Sequence, residues 1–295
     1  MIKIQGVPWW SKIGIKLLIG MTPLPYERIR SALTGARGGM ESPEYAQRVF
    51  NRFYDNFQRY KEKVDNGAFL EIGPGGSLLN GIFGKAMGFK KCFLIDVGNF
   101  ASPDLALYSE YVKLLKESDQ AKFWHAFHLE DDIFNAMKKI GIYYYTAGIE
   151  SMKSIQTASI CFSFSNAVLE HVEKKEFYEF CQELSRIHKR RSLSIHQIDY
   201  KDHLGGGLNN LRFSEKIWES PLFFNQGFYT NRLRHREICS FLMHKGFKIL
   251  QEDLAIWDTL PLPRRKLAND FREMTDEDLR IKGAFIVTQK IAQLA

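Results

Sequence analysis

Cysteine is scarce in this sequence, and the cysteines that are present stand far apart. The chain of 295 residues has four, Cys92, Cys161, Cys181 and Cys239, and no two of them form a CxxC pair. This spacing predicts neither a zinc site nor a disulfide framework. Three of the four stand inside apolar runs, which is typical of buried free thiols. The pattern fits a reducing compartment, so we expect a cytoplasmic protein.

The sequence also lacks an apolar run long enough to cross a bilayer. Residues 13–20 are apolar but interrupted by Lys16, and no small-residue cleavage site of a signal peptide follows. The segment 8–20 begins with Trp9 and Trp10, so two interpretations stay open. We favour a helix that packs its apolar face on the protein. The alternative is a helix that lies on a membrane surface, which would make the protein membrane-associated.

Dense blocks of one charge sign are missing as well. The formal net charge is +7, which favours an anionic partner such as a phosphate-bearing substrate or an anionic surface. No dense block of lysines and arginines and no RNP-like aromatic signature occurs, so nucleic acid is a minority option. Composition indicates nothing about oligomeric state.

From residue 68 onward, strand-like runs alternate with helical ones. The predicted strands cover residues 68–72, 92–96, 142–146, 159–165, 192–198, 247–251 and 284–290. Seven strands that alternate with helices predict a mainly parallel α/β sheet with helices on both faces. The last two strands lack a clear helical crossover and can form a hairpin, which would make the last one antiparallel.

Two further segments are predicted to be additions to this sheet. Residues 1–66 are expected to form an N-terminal helical cap, in which Ser42 is the N-cap of a helix running to about residue 63. Residues 67–295 form the main domain, with a segment at about 200–235 that covers the site. Tyr45 and Phe53 of the cap are expected to help close the site.

A glycine-rich loop follows the first strand and opens a helix. Residues 71–77 read Glu-Ile-Gly-Pro-Gly-Gly-Ser. Glycines let a ligand approach the backbone closely and leave N–H groups exposed at the start of the helix. Gly73 and Gly75 match the start of the G-x-G-x-x-G pattern, but Leu78 stands at its third glycine, and no P-loop lysine follows. Glu71 would repel a pyrophosphate and suits a cationic group.

An acidic residue, Asp96, ends the next strand, about 20 residues after Gly76. A carboxylate at this place can accept hydrogen bonds from both hydroxyls of a ribose. The ligand implied by the two strand ends has a ribose, a cationic group and no pyrophosphate.

The glycine-rich loop and Asp96 together resemble the motifs of the class I S-adenosylmethionine-dependent methyltransferases. The first motif of that family, E/D-x-G-x-G-x, corresponds to residues 71–76, and its ribose-binding acid corresponds to Asp96. The resemblance implies a Rossmann-like fold and S-adenosyl-L-methionine as cofactor. The cofactor contacts that it implies are Glu71, Gly73, Gly75, Gly76 and Asp96.

The segment after the fourth strand strengthens the resemblance. Residues 163–172, SFSNAVLEHV, are similar to the S-x-A-V-L-E-H-V segment of many small-molecule members of the family. The resemblance places Ser165 and Asn166 near the sulfonium of the cofactor, and it lets His171 reach the acceptor. Histidine can take a proton from a hydroxyl near neutral pH. The alternative is that His171 caps or packs the helix that follows.

A run of acid–base groups follows the fifth strand. We predict that Asp199, Asp202 and His203 orient or deprotonate an acceptor hydroxyl. The alternatives are a divalent metal held by this run or a charged, solvated loop, and we assign no metal ligand from the sequence. Strand alternation places His196 on the face opposite to Asp199.

A second, looser resemblance concerns the acceptor. Residues 198–203 (IDYKDH) and 231–234 (NRLR) resemble a subgroup of these enzymes from surface-polysaccharide and glycan pathways. Arginines at this place can bind a phosphate or carboxylate in bidentate fashion. The predicted substrate contacts are Asp202, Asn231, Arg232 and Arg234. The alternative is an ordinary helix start with solvated arginines.

The sequence therefore predicts an S-adenosylmethionine-dependent methyltransferase. We favour O-methylation of a small-molecule or sugar acceptor, with a histidine as general base. Methylation of nitrogen or carbon, a lipid-linked acceptor, and a non-catalytic protein that binds the cofactor are the alternatives.

Overall fold

The chain folds around one seven-stranded sheet. The computed structural model describes residues 8–20, 40, 42–62, 67–116, 132–224 and 226–291. The strands are β1 (Ala68–Ile72), β2 (Cys92–Ile95), β3 (Ile142–Tyr145), β4 (Ile160–Asn166), β5 (His188–Asp199), β6 (Phe247–Ile256) and β7 (Ile281–Lys290). Within these described ranges, no helix is long and apolar enough to cross a membrane.

The order of the strands is that of a doubly wound sheet with a hairpin at one end. They lie side by side as β3-β2-β1-β4-β5-β7-β6. The first five run parallel, whereas β7 lies antiparallel between β5 and β6. Parallel neighbours need crossover connections, and helices supply them here. The predicted seven-stranded, mainly parallel, Rossmann-like sheet is confirmed, including its antiparallel last strand.

Helices cover both faces of the sheet. They are α1 (Trp9–Gly20), α2 (Pro43–Tyr60), α3 (Leu79–Ala86), α4 (Leu105–Lys116), α5 (Ile133–Lys139), α6 (Ile149–Lys153), α7 (Phe177–Ile187), α8 (Glu215–Trp218), α9 (Pro221–Phe224), α10 (His235–His244), α11 (Asn269–Arg272) and α12 (Asp276–Arg280). Short 3-10 helices cover Leu169–His171, Lys174–Glu176, Asn209–Arg212 and Arg264–Lys266. Side chains of α2 to α5 share one core cluster with the sheet, and side chains of α6, α7 and α10 share another.

The main differences from the predicted boundaries lie around β5 and β6. Strand β5 begins at His188, four residues before its predicted start at 192, directly after α7 ends at Ile187. Strand β6 continues to Ile256, five residues beyond its predicted end, because β7 pairs with it along its whole length. Pairing with a distant partner strand is not visible in local periodicity.

Helix α2 begins as its sequence predicts. The Ser42 hydroxyl accepts the Tyr45 amide, and Pro43 stands in the first turn. The expectation that Phe53 closes the site is not met, because this ring is 1% exposed and lies in the core. It stacks on Phe164 of β4 with ring centroids 4.4 Å apart. Helix α2 therefore anchors to the middle of the sheet.

Helix α1 packs on residues 200–235, the segment predicted to cover the site, which we call the cover segment. Ile13 is buried in one apolar cluster with Trp218 and Phe223 of that segment. The Trp9 ring meets Phe213 edge to face at 6.1 Å, whereas Trp10 is 62% exposed. This arrangement favours the interpretation in which the apolar face of the helix packs on the protein.

Replacing Phe53 tests the importance of this anchor. Phe53→Ala removes a fully buried ring, so we expect the free energy of unfolding to fall by about 3–5 kcal/mol. Asp55→Ala, an exposed position on the same helix, should change it by less than about 0.5 kcal/mol. Urea unfolding followed by tryptophan fluorescence measures both, and equal effects of the two changes would contradict this packing.

Candidate active site

The carboxyl ends of four neighbouring strands meet at one edge of the sheet. Ile72 of β1 pairs with Ile95 of β2 and with Ser165 of β4, and Ser165 pairs with His196 of β5. The loops that leave β1, β2, β4 and β5 are therefore adjacent. In an open α/β sheet this edge is where ligands bind.

Two glycines of the loop after β1 adopt backbone angles that favour glycine. Gly73 has φ +74° and Gly75 has φ +64°. A Cβ on Gly73 would lie 2.3 Å from Val168 Cγ2, so no side chain fits there. Asp96 supports the loop from the neighbouring strand, since its Oδ2 accepts the Gly75 amide at 3.0 Å. Its Oδ1 accepts the Val97 amide at 2.8 Å.

Glu71 is a buried carboxylic acid at the end of β1. It is 2% exposed, and its Oε1 accepts the Asn80 side-chain amide at 2.6 Å. Burial raises the pKa of Glu71 to about 8, and the nearby charge of Asp96 adds to this rise. Within the described residues, Oε2 has no hydrogen-bond partner. A buried acceptor left unpaired is costly, so this oxygen fits a cationic ligand group.

Two of the predicted catalytic residues, His171 and His203, come together. Their ring centroids are 4.9 Å apart, and both residues are exposed. His171 Nδ1 lies 3.2 Å from the carbonyl of Tyr229. Because a carbonyl only accepts, Nδ1 carries the proton, and in the neutral ring the lone pair then resides on Nε2. The two residues are 32 positions apart in sequence, and the loops after β4 and β5 bring them together.

Asp202 does not face a ligand or solvent. It is 2% exposed. Its Oδ1 accepts the amides of residues 204, 205 and 206, and its Oδ2 accepts those of residues 207 and 209. The Asn209 side chain adds a sixth donor at 3.1 Å. The predicted role of Asp202 as a substrate contact is corrected, because this carboxylate holds the loop that begins with His203.

Asp199 lies at the end of β5 next to a carboxylate that the sequence analysis missed. Asp199 Oδ1 accepts the Lys201 amide at 2.9 Å, and Oδ2 lies 3.4 Å from Lys201 Nζ. Its own amide donates to Glu170 Oε1 at 3.3 Å. Glu170 is 3% exposed, and burial raises its pKa to about 8. The signal in the sequence was an acid inside the apolar run AVLEHV.

Ser165 lies at the edge, but its hydroxyl points into the sheet. Its Oγ and Nδ1 of His196 are 2.8 Å apart. The His196 Nε2 lies 2.8 Å from Ser194 Oγ, which lies 2.7 Å from Ser163 Oγ. Burial lowers the pKa of His196 to about 3, so this ring is neutral. The side chain of Ser165 is thus used inside the protein, while Asn166 is half-buried at the end of the strand.

The predicted substrate contacts at 231–234 are buried and have internal partners. Arg234, 1% exposed, donates to the carbonyls of residues 200, 278, 279 and 281. Arg232 donates to the Phe213 carbonyl at 2.6 Å and lies over the Trp218 ring at 5.4 Å. Asn231 donates to the carbonyls of residues 169 and 172. We correct both expectations for this segment, since the side chains are neither solvated nor directed to a crevice.

Comparison with known proteins gives a likeness of structure. Neither a family model nor a curated relative matches the sequence. A solved S-adenosylmethionine-dependent methyltransferase from Methanosarcina mazei is 16% identical with a TM-score of 0.48, covering 81% of this chain and 98% of that chain. One from Archaeoglobus fulgidus is 11% identical with a TM-score of 0.45, covering 90% and 99%.

A third solved structure has an acceptor bound. The geranyl diphosphate C-methyltransferase from Streptomyces coelicolor A3(2), in complex with Mg²⁺, geranyl diphosphate and S-adenosyl-L-homocysteine, is 8% identical with a TM-score of 0.44. The match covers 83% of this chain and 82% of that chain. Because the identities and TM-scores are this low, the function of the present chain has to be argued from its own residues.

The buried acid predicts a dependence of stability on pH. The pKa of Glu71 rises from 4.5 to about 8 on folding, so folding takes up a proton between these values. The free energy of unfolding therefore falls as the pH rises from about 5 to about 8. Glu71→Gln removes this loss. We therefore expect the slope of the free energy of unfolding against pH to become less steep by about 1 kcal/mol per pH unit.

Urea unfolding of the ligand-free protein at several pH values in this window measures the slope. Glu150→Gln, at an exposed helix position, is the matched control and should leave the slope unchanged. The same slope in Glu71→Gln as in the unchanged protein would contradict a buried, protonated Glu71.

Proposed function

We propose that this chain is an S-adenosylmethionine-dependent methyltransferase that methylates a hydroxyl of a small-molecule acceptor. The observation that carries the proposal is the unpaired buried oxygen of Glu71. It stands two residues before a loop whose glycines have left-handed backbone angles. A carboxylate there suits the amino group of a methionine moiety.

Asp96 supports the same ligand from the adjacent strand. Its Oδ2 accepts the Gly75 amide and its Oδ1 accepts the Val97 amide, so the carboxylate lies beside the glycine loop. A carboxylate at this strand end can accept the hydroxyls of a ribose. Glu71 and Asp96 would thus hold the cationic end and the ribose of one cofactor, with Gly73, Gly75 and Gly76 giving close access to the backbone.

The histidine pair supports catalysis rather than binding alone. The bound cofactor supplies an electrophilic methyl group, so the protein mainly has to align the acceptor and take its proton. The Tyr229 carbonyl fixes the tautomer of His171 with its proton on Nδ1. His171 Nε2 is then the atom that accepts the hydroxyl proton, and His203 beside it is the second candidate base. Asn166 and Asp199 end the two strands whose loops carry these histidines.

The acceptor is proposed only as a class. The residues on which the resemblance to glycan-pathway enzymes depended, Asn231, Arg232 and Arg234, are buried with internal partners. A sugar or glycan acceptor therefore keeps only the support of the sequence pattern. N- or C-methylation is the second candidate, and the identity of the methylated product distinguishes it.

Calorimetric titration tests the cofactor assignment. We expect micromolar binding of S-adenosylmethionine and of S-adenosylhomocysteine, since both carry the amino group and the ribose. Asp96→Asn should weaken both by about tenfold or more, because a charged hydrogen bond contributes about 1.5–3 kcal/mol. Asp258→Asn, at an exposed position, should bind as the unchanged protein does. A folded protein that gives no heat with either ligand would refute the proposal.

A second experiment tests the histidines. With an acceptor identified by screening hydroxyl compounds for S-adenosylhomocysteine release, His171→Gln should lower kcat by about 10²–10⁴ without changing cofactor affinity. His203→Gln should lower it to a lesser or equal degree. His244→Gln, at an exposed position on α10, serves as the control. Full activity in both of the first two variants would remove histidine from the mechanism.

A further inference from the structure

A cluster of potential metal ligands lies away from the candidate active site, between α10 and the edge strand β6. His235 and Cys239 are four residues apart on α10, so they share one face of the helix. Both are buried, at 4% and 6% exposure. Glu252 of β6 faces them, and the ligand atoms of all three lie within 4.8 Å of one another.

A bulge in β6 turns Glu252 toward the helix. Ile249 pairs with Thr288 of β7, but the register shifts before Gln251, and Glu252 then pairs with Ile286. Paired residues point to the same face, and Ile286 belongs to the core cluster that contains α10. The shift means that β6 has one extra residue between Ile249 and Gln251. Without it, the alternation of side chains would place Glu252 on the opposite face. Bulges commonly redirect a side chain in this way.

The spacing of sulfur and nitrogen matches that around a tetrahedral ion. Cys239 Sγ lies 3.5 Å from His235 Nε2 and 3.9 Å from Glu252 Oε1. His235 Nε2 and Glu252 Oε1 are in direct contact, so the partly exposed Glu252 side chain has to move back to admit an ion between them. A zinc ion with Zn–S near 2.3 Å and Zn–N near 2.0 Å sets sulfur and nitrogen about 3.5 Å apart.

The other nitrogen of the imidazole has a partner that orients it. His235 Nδ1 lies 3.0 Å from the hydroxyl of Tyr200, a fully buried pair. A metal-binding histidine usually holds its second ring nitrogen in a hydrogen bond of this kind. Tyr200 thus leaves Nε2 directed at Cys239 and Glu252.

We propose that His235 Nε2, Cys239 Sγ and Glu252 Oε1 bind one Zn²⁺ ion, with water as the fourth ligand. Thiolate with imidazole is a donor set that favours zinc among abundant divalent ions. The side chain of Glu252 is 40% exposed, which gives the ion a path from solvent. Bound there, the ion ties α10 to β6 at the edge of the sheet.

Zinc binding releases the proton of the Cys239 thiol. Cys239 is a buried free thiol, and it binds a metal ion as the thiolate. Zinc forms the Zn–S bond as the S–H bond breaks, and the proton passes to the solvent. Affinity should therefore rise with pH.

Metal titration of the full, tag-free protein after chelator treatment tests the proposal. With Co²⁺ as the probe, we expect one equivalent to bind and to give a thiolate-to-metal charge-transfer band in the near ultraviolet. Zn²⁺ should displace it. Cys239→Ala should abolish the band, whereas Cys181→Ala, which removes another buried thiol, should retain it.

Two milder variants keep the test valid if Cys239→Ala does not fold. Glu252→Gln changes a partly exposed side chain and should weaken Zn²⁺ binding at least about tenfold, as should Tyr200→Phe. His244→Gln, an exposed histidine on the same helix, should bind Zn²⁺ unchanged. No cobalt band in the unchanged, folded protein would overturn the proposal, and so would equal zinc affinity in Glu252→Gln.

Discussion

The contact between Gly73 and Val168 sets the geometry on which the candidate site depends. β1 and β4 pair in the middle of the sheet with Ile72 beside Ser165, so the loops that follow them leave the same edge one strand spacing apart. The Val168 side chain fills the space that a Cβ on Gly73 would need. A side chain at position 73 is thus excluded both by packing and by a positive φ. The glycine is required by the protein itself, before any ligand is considered, and this tight crossing brings the loop after β1 next to the segment that carries His171.

Two buried acids, Glu71 and Glu170, flank this contact and determine its electrostatics. Burial raises the pKa of each to about 8, so at neutral pH both are largely protonated in the ligand-free protein. Each has one oxygen bonded to a neutral donor and, in the part of the chain that the structure describes, a second oxygen without a partner. A cation bound at this edge would favour the ionised form of both acids. Their negative charge would in turn stabilise the bound cation. The net charge of +7 indicates an anionic partner for the molecule as a whole, yet the local site favours positive charge. Global charge is therefore a poor guide to this ligand.

The fold and the place of the candidate site at one edge of the sheet could be predicted because their signals are local. Alternating apolar runs, a glycine loop and an acid at a strand end lie within short stretches of sequence, and the sheet places them as expected. The burial of Arg234 could not be predicted, because the carbonyls that accept its hydrogen bonds belong to residues 200, 278, 279 and 281. A buried arginine and a ligand-binding arginine look alike in sequence, and only distant backbone groups distinguish them. The same holds for Glu252, whose direction depends on a bulge in its pairing with β7.

Residues of the cover segment position the site through hydrogen bonds that involve backbone groups. The Asp202 carboxylate accepts hydrogen bonds from five backbone amides of the turn that follows His203. These bonds fix the position of that histidine in the loop after β5. At the other end of the segment, Asn231 ties the chain to the carbonyls around His171, and the Tyr229 carbonyl accepts from the ring itself. Residues that resembled substrate contacts thus position the two histidines instead. Because each histidine is held by a different end of the same segment, the packing of the cover sets the distance between the rings. The spacing of the two histidines and the packing of the cover segment therefore depend on the same hydrogen bonds.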